Sequence, residues 1–548
     1  MEIQTIKKLE KEALKKSGTD FMKLGLALFF MILVLVYSFL SNGGVPNNIF
    51  LAVAALIGAY MAMNIGANDV ANNVGPAVGS KALTMAGAIA IAGIFEVSGA
   101  LIAGGDVVNT IKKGIIDISA FGGDPEQFIW AMMAALLAAA LWLNLATAMK
   151  APVSTTHSIV GGVMGAGIAA AGFSIVSWST MAKIAASWVI SPILGGIIAA
   201  TFLFAIKKSI LFKEDKVSAA KTYVPIFVGI MSWAFITYLT LKGLKHIWPQ
   251  VVGILNILPL VSIEITKKPT FVTALIFGFI AFLVVYFVLK SRLKNNTSII
   301  DNKRASVNTL FTIPLIFSAA LLSFAHGAND VANAVGPLAA INDAIVNGGI
   351  SHKASIPLWV MSVGGLGIAV GLALYGPKLI KTVGSEITEL DQIRAFSVAI
   401  AAAITVIIAS QLGLPVSSTH IAIGGVFGVG FLREWLHVQD GHNEIESEIS
   451  SVKDEEENLR AYKSELKKLE KKDAKSQEDY ERIVNLYKLI AHEEKIIKSS
   501  KKHLKQVQKV EFVKRDAIKK IITAWIITVP VAAFISAILF YMIKGMLV

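Results

Sequence analysis

The chain has 548 residues, 55% of them hydrophobic, with a mean hydropathy of +0.64, a formal net charge of +13 and no cysteine. This apolar content excludes an ordinary soluble enzyme, and the missing thiols exclude disulfides, thiolate metal sites and cysteine nucleophiles. The surplus lysines lie mostly between apolar runs, where they set membrane orientation rather than recognise nucleic acid.

Charge-free apolar runs occupy Leu24–Leu40, Tyr223–Leu241, Thr270–Leu289 and Ile521–Ile543. Each can cross roughly 30 Å of hydrocarbon as a helix. Segment 1–23, with Lys7, Lys8, Lys11, Lys15, Lys16 and Lys23, reads as an amphipathic cytoplasmic tail. Leu24–Leu40 has the apolar core of a secretory signal, but it is long and no small-residue cleavage pattern comes after it, so it reads as a retained outward span. The stretch near 49–80 returns, broken at its centre by a polar phrase, and 83–105 crosses outward again. Phe128–Met149 stops at Lys150-Ala151-Pro152 and resumes from Ser154 to Gly172. Proline cannot continue a helix interior, so two helices are predicted to meet at a polar tip, entering and leaving on the outer side. The run 184–206 crosses inward onto Lys207, Lys208, Lys213, Lys216 and Lys221, closing a first membrane repeat over 24–206.

Segment 207–306 supplies two linking spans, the first of which inverts the second half. A second repeat over 307–433 then reads as a broken span (307–340), a return span (357–376) and a hairpin (395–433) with its tip at Pro415. Segment 434–519 falls in the cytoplasm, and the last span, 520–548, carries the C-terminus outside. Lysine placement and span parity agree only if both hairpins are re-entrant. The predicted fold is therefore an all-α, polytopic plasma-membrane protein with two inverted-topology repeats, each holding a broken helix and a re-entrant hairpin. Within 434–519, Ile445, Ile449, Val452, Leu459, Tyr462, Leu466 and Leu469 recur among charges at helical spacing, as do Ile483, Leu486, Ile490, Ile497, Leu504 and Val507. That is a soluble helical hairpin that pairs with itself or at a subunit contact, compatible with a homo-oligomer.

The repeats are written in two polar phrases. Gly66-Ala67-Asn68-Asp69-Val70-Ala71-Asn72 returns as Gly327-Ala328-Asn329-Asp330-Val331-Ala332-Asn333, 261 residues on (327 − 66). Pro152-Val153-Ser154-Thr155-Thr156-His157 returns as Pro415-Val416-Ser417-Ser418-Thr419-His420, 263 residues on (415 − 152). An aspartate inside a span costs about 2.5–3.5 kcal/mol on insertion scales and needs a partner. Asp69 and Asp330, flanked by Asn68, Asn72, Asn329 and Asn333, offer hard oxygen ligands suited to an alkali cation. The neighbouring glycines and Gly75-Pro76 and Gly336-Pro337 are expected to weaken the helix and free carbonyls as well. At each hairpin tip, Ser154, Thr155 and Thr156, or Ser417, Ser418 and Thr419, open a new helix whose free N–H groups and dipole favour an anion. One hydroxyl can cap while its neighbours bind, with Asn68 and Asn329 expected to contact the anion as well as the cation. Glu96, in an apolar stretch, is a candidate ion ligand or proton carrier, and the second half carries no glutamate at Trp359–Gly365, read as the matching place. His157 and His420 read as buttresses of the tips, and His326 precedes only the second phrase.

These two motifs, each repeated in inverted halves, resemble the inorganic phosphate transporter (PiT) family of ion-coupled phosphate permeases. The resemblance covers both repeats and omits the tail, the linking spans and 434–519. It implies phosphate between the hairpin tips, cations on the Asp69 and Asp330 segments, and alternating access. Family members use sodium or protons, and some take phosphate as a metal complex. Members with a large hydrophilic loop carry it between the halves, whereas here it comes after the second hairpin.

No lysine or arginine lies within either motif, so bound cations are expected to supply the charge that phosphate lacks. Sodium is expected because one carboxylate and two amides per repeat make an oxygen cage, which a proton does not need. A proton-coupled or metal-phosphate symporter, a carrier of another oxyanion such as sulfate, and a non-transporting receptor are the alternatives. Neither an enzymatic reaction nor a resident cofactor is expected.

Overall fold

Inside a bilayer a backbone N–H or C=O finds no partner but the next helical turn, and the charge-free stretches fold accordingly. In the computed structural model the described residues are 3–121, 124–149, 151, 153–245, 247–257, 266–296, 301–347, 356–386, 390–472, 476–507 and 515–547. The tip residues Lys150 and Pro152 lie outside them. The described helices are α1 (Ile3–Ser41), α2 (Asn48–Asn68), α3 (Val70–Gly79), α4 (Met85–Ala103), α5 (Gly105–Lys113) and α6 (Pro125–Ala148). Then come α7 (Thr155–Ala171), α8 (Trp178–Ile206), α9 (Lys216–Gly243), α10 (Trp248–Leu255), α11 (Phe271–Asn296) and α12 (Arg304–Thr309). The last are α13 (Thr312–Val346), α14 (Leu358–Glu386), α15 (Gln392–Gln411), α16 (Ser418–Glu470), α17 (Gln477–Val507) and α18 (Arg515–Leu547). Side-chain caps start several of them: Thr84 accepts from Gly87 N, Asp124 from Glu126 N, Asp215 from Ser218 N and Asp391 from Arg394 N. Eleven stretches among the described residues are long and apolar enough to cross a membrane. The chain is an integral, all-helical membrane protein.

The two polar phrases are not unwound as expected. Helix is interrupted only at Asp69, whose backbone keeps helical dihedrals (φ −84°, ψ −37°), and α13 runs unbroken through Asp330 and Pro337. The Asp69 carbonyl is not free either, since it accepts from Asn72 N at 2.9 Å and Asn72 Nδ2 at 3.1 Å. Each proline removes one helical donor, so the carbonyls released are those of Asn72 and Asn333, four residues before Pro76 and Pro337.

The motif glycines serve close approach instead. A Cβ on Gly66 would lie 1.9 Å from the Ile368 carbonyl oxygen of α14, and one on Gly327 would lie 2.2 Å from the Glu96 carbonyl oxygen of α4. The duplicated position therefore does the same job twice, each time against the other half of the chain. The hairpins repeat the exchange. Gly161 of α7 meets the Val529 carbonyl of α18, and Gly424 of α16 meets the Pro192 carbonyl of α8. Each half thus lays its last span against the other half's hairpin.

Two compact units result: Met1–Val429 with Arg515–Val548, and Gly430–Lys514. Within the second, α16 and α17 run antiparallel, burying Val452, Leu466, Leu486 and Ile497. Pairs Arg482–Glu465 (2.8 Å), Lys463–Glu494 (2.6 Å) and Lys501–Glu456 (2.5 Å) flank that seam.

Gly66→Ala and Gly327→Ala should each cost about 3 kcal/mol, the upper end for overpacking, because a backbone carbonyl cannot step aside. Gly25→Ala, with open space around it, should be neutral or stabilising. Thermal unfolding of the detergent-purified variants reads the difference.

Candidate functional site

The two hairpin tips converge on the two aspartates. α7 begins after Ser154, whose hydroxyl accepts from His157 N at 3.1 Å, and α16 begins after Ser417, whose hydroxyl accepts from His420 N at 3.2 Å. Ser154 and Ser417 are therefore helix caps, each satisfying one donor of its first turn. The N–H groups of Thr155, Thr156, Ser418 and Thr419 have no intrahelical acceptor by position. The hydroxyls beside them reach the aspartates. Thr155 donates to Asp69 Oδ2 at 2.7 Å, Thr419 to Asp69 Oδ1 at 3.1 Å, and Ser418 to Asp330 Oδ2 at 3.0 Å. Asp69 thus holds one hydroxyl from each tip. Thr156 instead donates across the junction to the Val416 carbonyl at 2.9 Å.

The asparagines divide into two jobs, matched between halves. Asn68 Nδ2 donates to Thr147 Oγ1 (2.9 Å) and the Ala151 carbonyl (3.3 Å), and Asn329 Nδ2 donates to Ser410 Oγ (3.0 Å) and the Leu414 carbonyl (3.2 Å). These two hold the end of the helix that leads into each tip. Asn72 Nδ2 donates to Thr419 Oγ1 (2.9 Å), while Asn333 Nδ2 donates to Thr155 Oγ1 (3.0 Å) and Thr156 Oγ1 (3.2 Å). The second pair ties each phrase to the opposite tip. Donation to a carbonyl fixes which end of the amide is nitrogen for Asn68, Asn72 and Asn329. Their oxygens Oδ1, with Asp330 Oδ1, are buried without a hydrogen-bond partner among the described residues. Buried orphan acceptors are costly and call for a donor or a cation.

One further group joins the cluster. His326 Nδ1 lies 2.7 Å from Glu96 Oε2 and its Nε2 lies 2.9 Å from Asp330 Oδ2, with all three side chains fully buried. Asn73 Nδ2 donates to the other Glu96 oxygen at 2.8 Å. Ligand atoms of Asp69, His326 and Asp330 lie within 4.8 Å of one another. The reciprocal glycine contacts also correct the pairing of the halves: Ile368 stands where Glu96 stands, 272 residues on (368 − 96), and not within Trp359–Gly365. Ile65 stands where His326 does. The Glu96–His326 pair therefore has a fully buried Ile368–Ile65 counterpart. Asn73 was not expected to take part, although the sequence carried a signal for it: it is a further buried asparagine one residue beyond the phrase.

Behind the tips, His420 stacks on Trp525 of α18 (ring centroids 3.5 Å) and His157 lies against Trp188 of α8 (3.8 Å). The histidines buttress the tips by ring packing on their own half's last span, while the His157 Nδ1 to Trp525 carbonyl distance of 3.5 Å reaches the exchanged one.

A model of the phosphate transporter family matches residues 65–536. A protein of Helicobacter pylori strain J99 named "Putative phosphate permease" is 49% identical over 545 residues, covering 98% of both chains. A similarly named Thermococcus kodakarensis protein is 39% identical over 384 residues, 70% of this chain and 89% of its own. A solved structure entitled "The sodium-dependent phosphate transporter" superposes with a TM-score of 0.70 at 30% identity, covering 91% of this chain and all of that one.

His326→Ile should destabilise the protein by about 3–5 kcal/mol, since it strands two buried carboxylates. Adding Glu96→Ile, which copies the Ile65–Ile368 arrangement, should recover part of that loss. A double-mutant cycle on thermal stability measures the coupling.

Proposed function

Because the chain belongs to the phosphate transporter family, we propose that it imports inorganic phosphate by alternating access, coupled to sodium entry. The observation that carries the reading is the imbalance of the buried site. Asp69, Asp330 and Glu96 face one imidazole, and among the described residues four amide oxygens (Asn68, Asn72, Asn73 and Asn329) and one carboxylate oxygen lack donors. Among the described residues, no lysine or arginine bonds to the cluster. Carboxylates out of water demand compensation, and a small cation that takes oxygen ligands supplies it. Asp69, Asp330, Asn72 and Asn333, with the Asn68 and Asn329 amide oxygens nearby, are the proposed sodium ligands. The structural relative's title, which names sodium dependence, supports the choice of ion.

The hydroxyls supply the coupling. Thr155, Thr419 and Ser418 each donate their one hydroxyl proton to a carboxylate, and while they do so they cannot donate it to an anion. Sodium on Asp69 or Asp330 weakens those bonds and frees the hydroxyls to turn toward phosphate. The anion then also accepts from the first-turn N–H groups of α7 and α16. Phosphate and sodium thereby favour each other's binding to the same degree. Ser154 and Ser417 act by holding the helix starts in place. Lysine placement supports a cytoplasmic N-terminus and 434–519 segment with an external C-terminus.

In proteoliposomes, labelled phosphate should accumulate under an inward sodium gradient and not under a proton gradient alone. Asp69→Asn and Asp330→Asn should each abolish accumulation while leaving the protein folded. Uptake that ignores sodium and follows pH would overturn the coupling. Thr419→Ala, which removes a hydroxyl that donates to Asp69 and accepts from Asn72, should weaken phosphate binding by about 1–3 kcal/mol. Isothermal titration at saturating sodium reads that change.

A further inference from the structure

A cavity of about 430 Å³ lies between α1, α2, α6 and α14. α1 gives it an apolar wall, while Tyr60, Asn64, Asn144, Thr147, Tyr375 and Lys378 give it polar lining. Asn144 and Lys378 are exposed, so it opens at the protein surface. Its lining includes Thr147, whose hydroxyl accepts from Asn68. Asn68 is fully buried, and the next residue is Asp69. One side-chain hydrogen bond therefore links the cavity lining to the asparagine that precedes the first aspartate.

At the matching place in the other half the counterpart side chains are buried. Ser410, the counterpart of Thr147 in bonding Asn329, is 2% exposed. Tyr238 of α9, 1% exposed, lies beside it. Thr110 of α5 donates to the Gly413 carbonyl at 2.7 Å and ties α5 to the turn before the second tip. The halves thus carry the same asparagine–hydroxyl pair with open polar space outside one and packed side chains outside the other.

We propose that the cavity is the cytoplasmic access route to the central site, with Asn68–Thr147 as its inner gate and Tyr238–Ser410 as part of the opposing, closed gate. This rests on the reading of the central cluster as the transport site. Lysine placement gives the side: the cavity is walled by the α1 turns that come after the lysine-rich tail and by Lys378 near the end of α14. An aqueous route needs polar lining that does not pair fully with itself, and the cavity supplies amides, phenols and a lysine head. Phosphate and sodium leave the site by breaking one hydrogen bond on this side, whereas the other side requires a packed tyrosine to move.

The chain's lack of cysteine makes the test direct. Thr147→Cys, Asn144→Cys, Ser410→Cys and Tyr238→Cys, made singly in the full chain, are exposed to a charged, membrane-impermeant thiosulfonate from each side of oriented vesicles. Thr147→Cys and Asn144→Cys should react from the cytoplasmic side about tenfold or more faster than the other two, the contrast expected when the alternative state is a minor one. Sodium with phosphate should slow the reaction at Thr147→Cys. Two results would overturn the proposal: no cytoplasmic reaction at either position although both thiols react after denaturation, or equal cytoplasmic reaction at Ser410→Cys. The expected pattern, left unchanged by phosphate and sodium, would support the route and count instead against the substrate reading.

Discussion

Three buried carboxylates held in a low-dielectric interior against a single imidazole set the terms for this protein. Ionised groups in such a place are tolerated only when nearly every oxygen is met by a donor or a cation. The surrounding sequence answers with hydroxyls, amides and helix starts, all short and uncharged. These meet part of the demand and leave identifiable amide and carboxylate oxygens unmet. A residue such as lysine at this point would have satisfied the carboxylates permanently. That deficit is what the proposed sodium binding rests on.

The packing that builds this centre is an exchange between halves. Each motif glycine lets a helix of one half lie against the backbone of the other, and each hairpin packs its glycines on the other half's last span while its histidine ring lies on its own. No half could form the site alone, since Asp69 needs hydroxyls from both tips. Such interlocking also means that a change at one tip is felt by both phrases. The proposed alternating access rests on this interlocking.

Symmetry fails at two points, and both failures bear on function. Glu96 and His326 replace what is an isoleucine pair in the other pairing of halves, so the two aspartates do not share one environment. Likewise, the Asn68–Thr147 and Asn329–Ser410 pairs are alike in chemistry and unlike in exposure. A duplicated sequence therefore supplies equivalent parts, while local substitutions and added helices make the two halves distinguishable.

The membrane class, the helix positions, the duplicated phrases and the aspartate–asparagine–hydroxyl inventory were legible in the sequence, because hydropathy, proline stops and caps act over a few residues. Spacing alone also indicated that one hydroxyl per tip would cap its helix. What it could not reveal was that the phrases remain helical, since glycine lowers helix propensity locally but here permits a close crossing that only the partner helix makes favourable. Nor could it pair Glu96 with His326, 230 residues apart, or align Glu96 with Ile368 across a changed loop length. The division of labour among Asn68, Asn72, Asn329 and Asn333 was equally hidden. Identical side chains acquire different roles from the groups that folding sets within about 3 Å of them, and those groups come from distant parts of the chain.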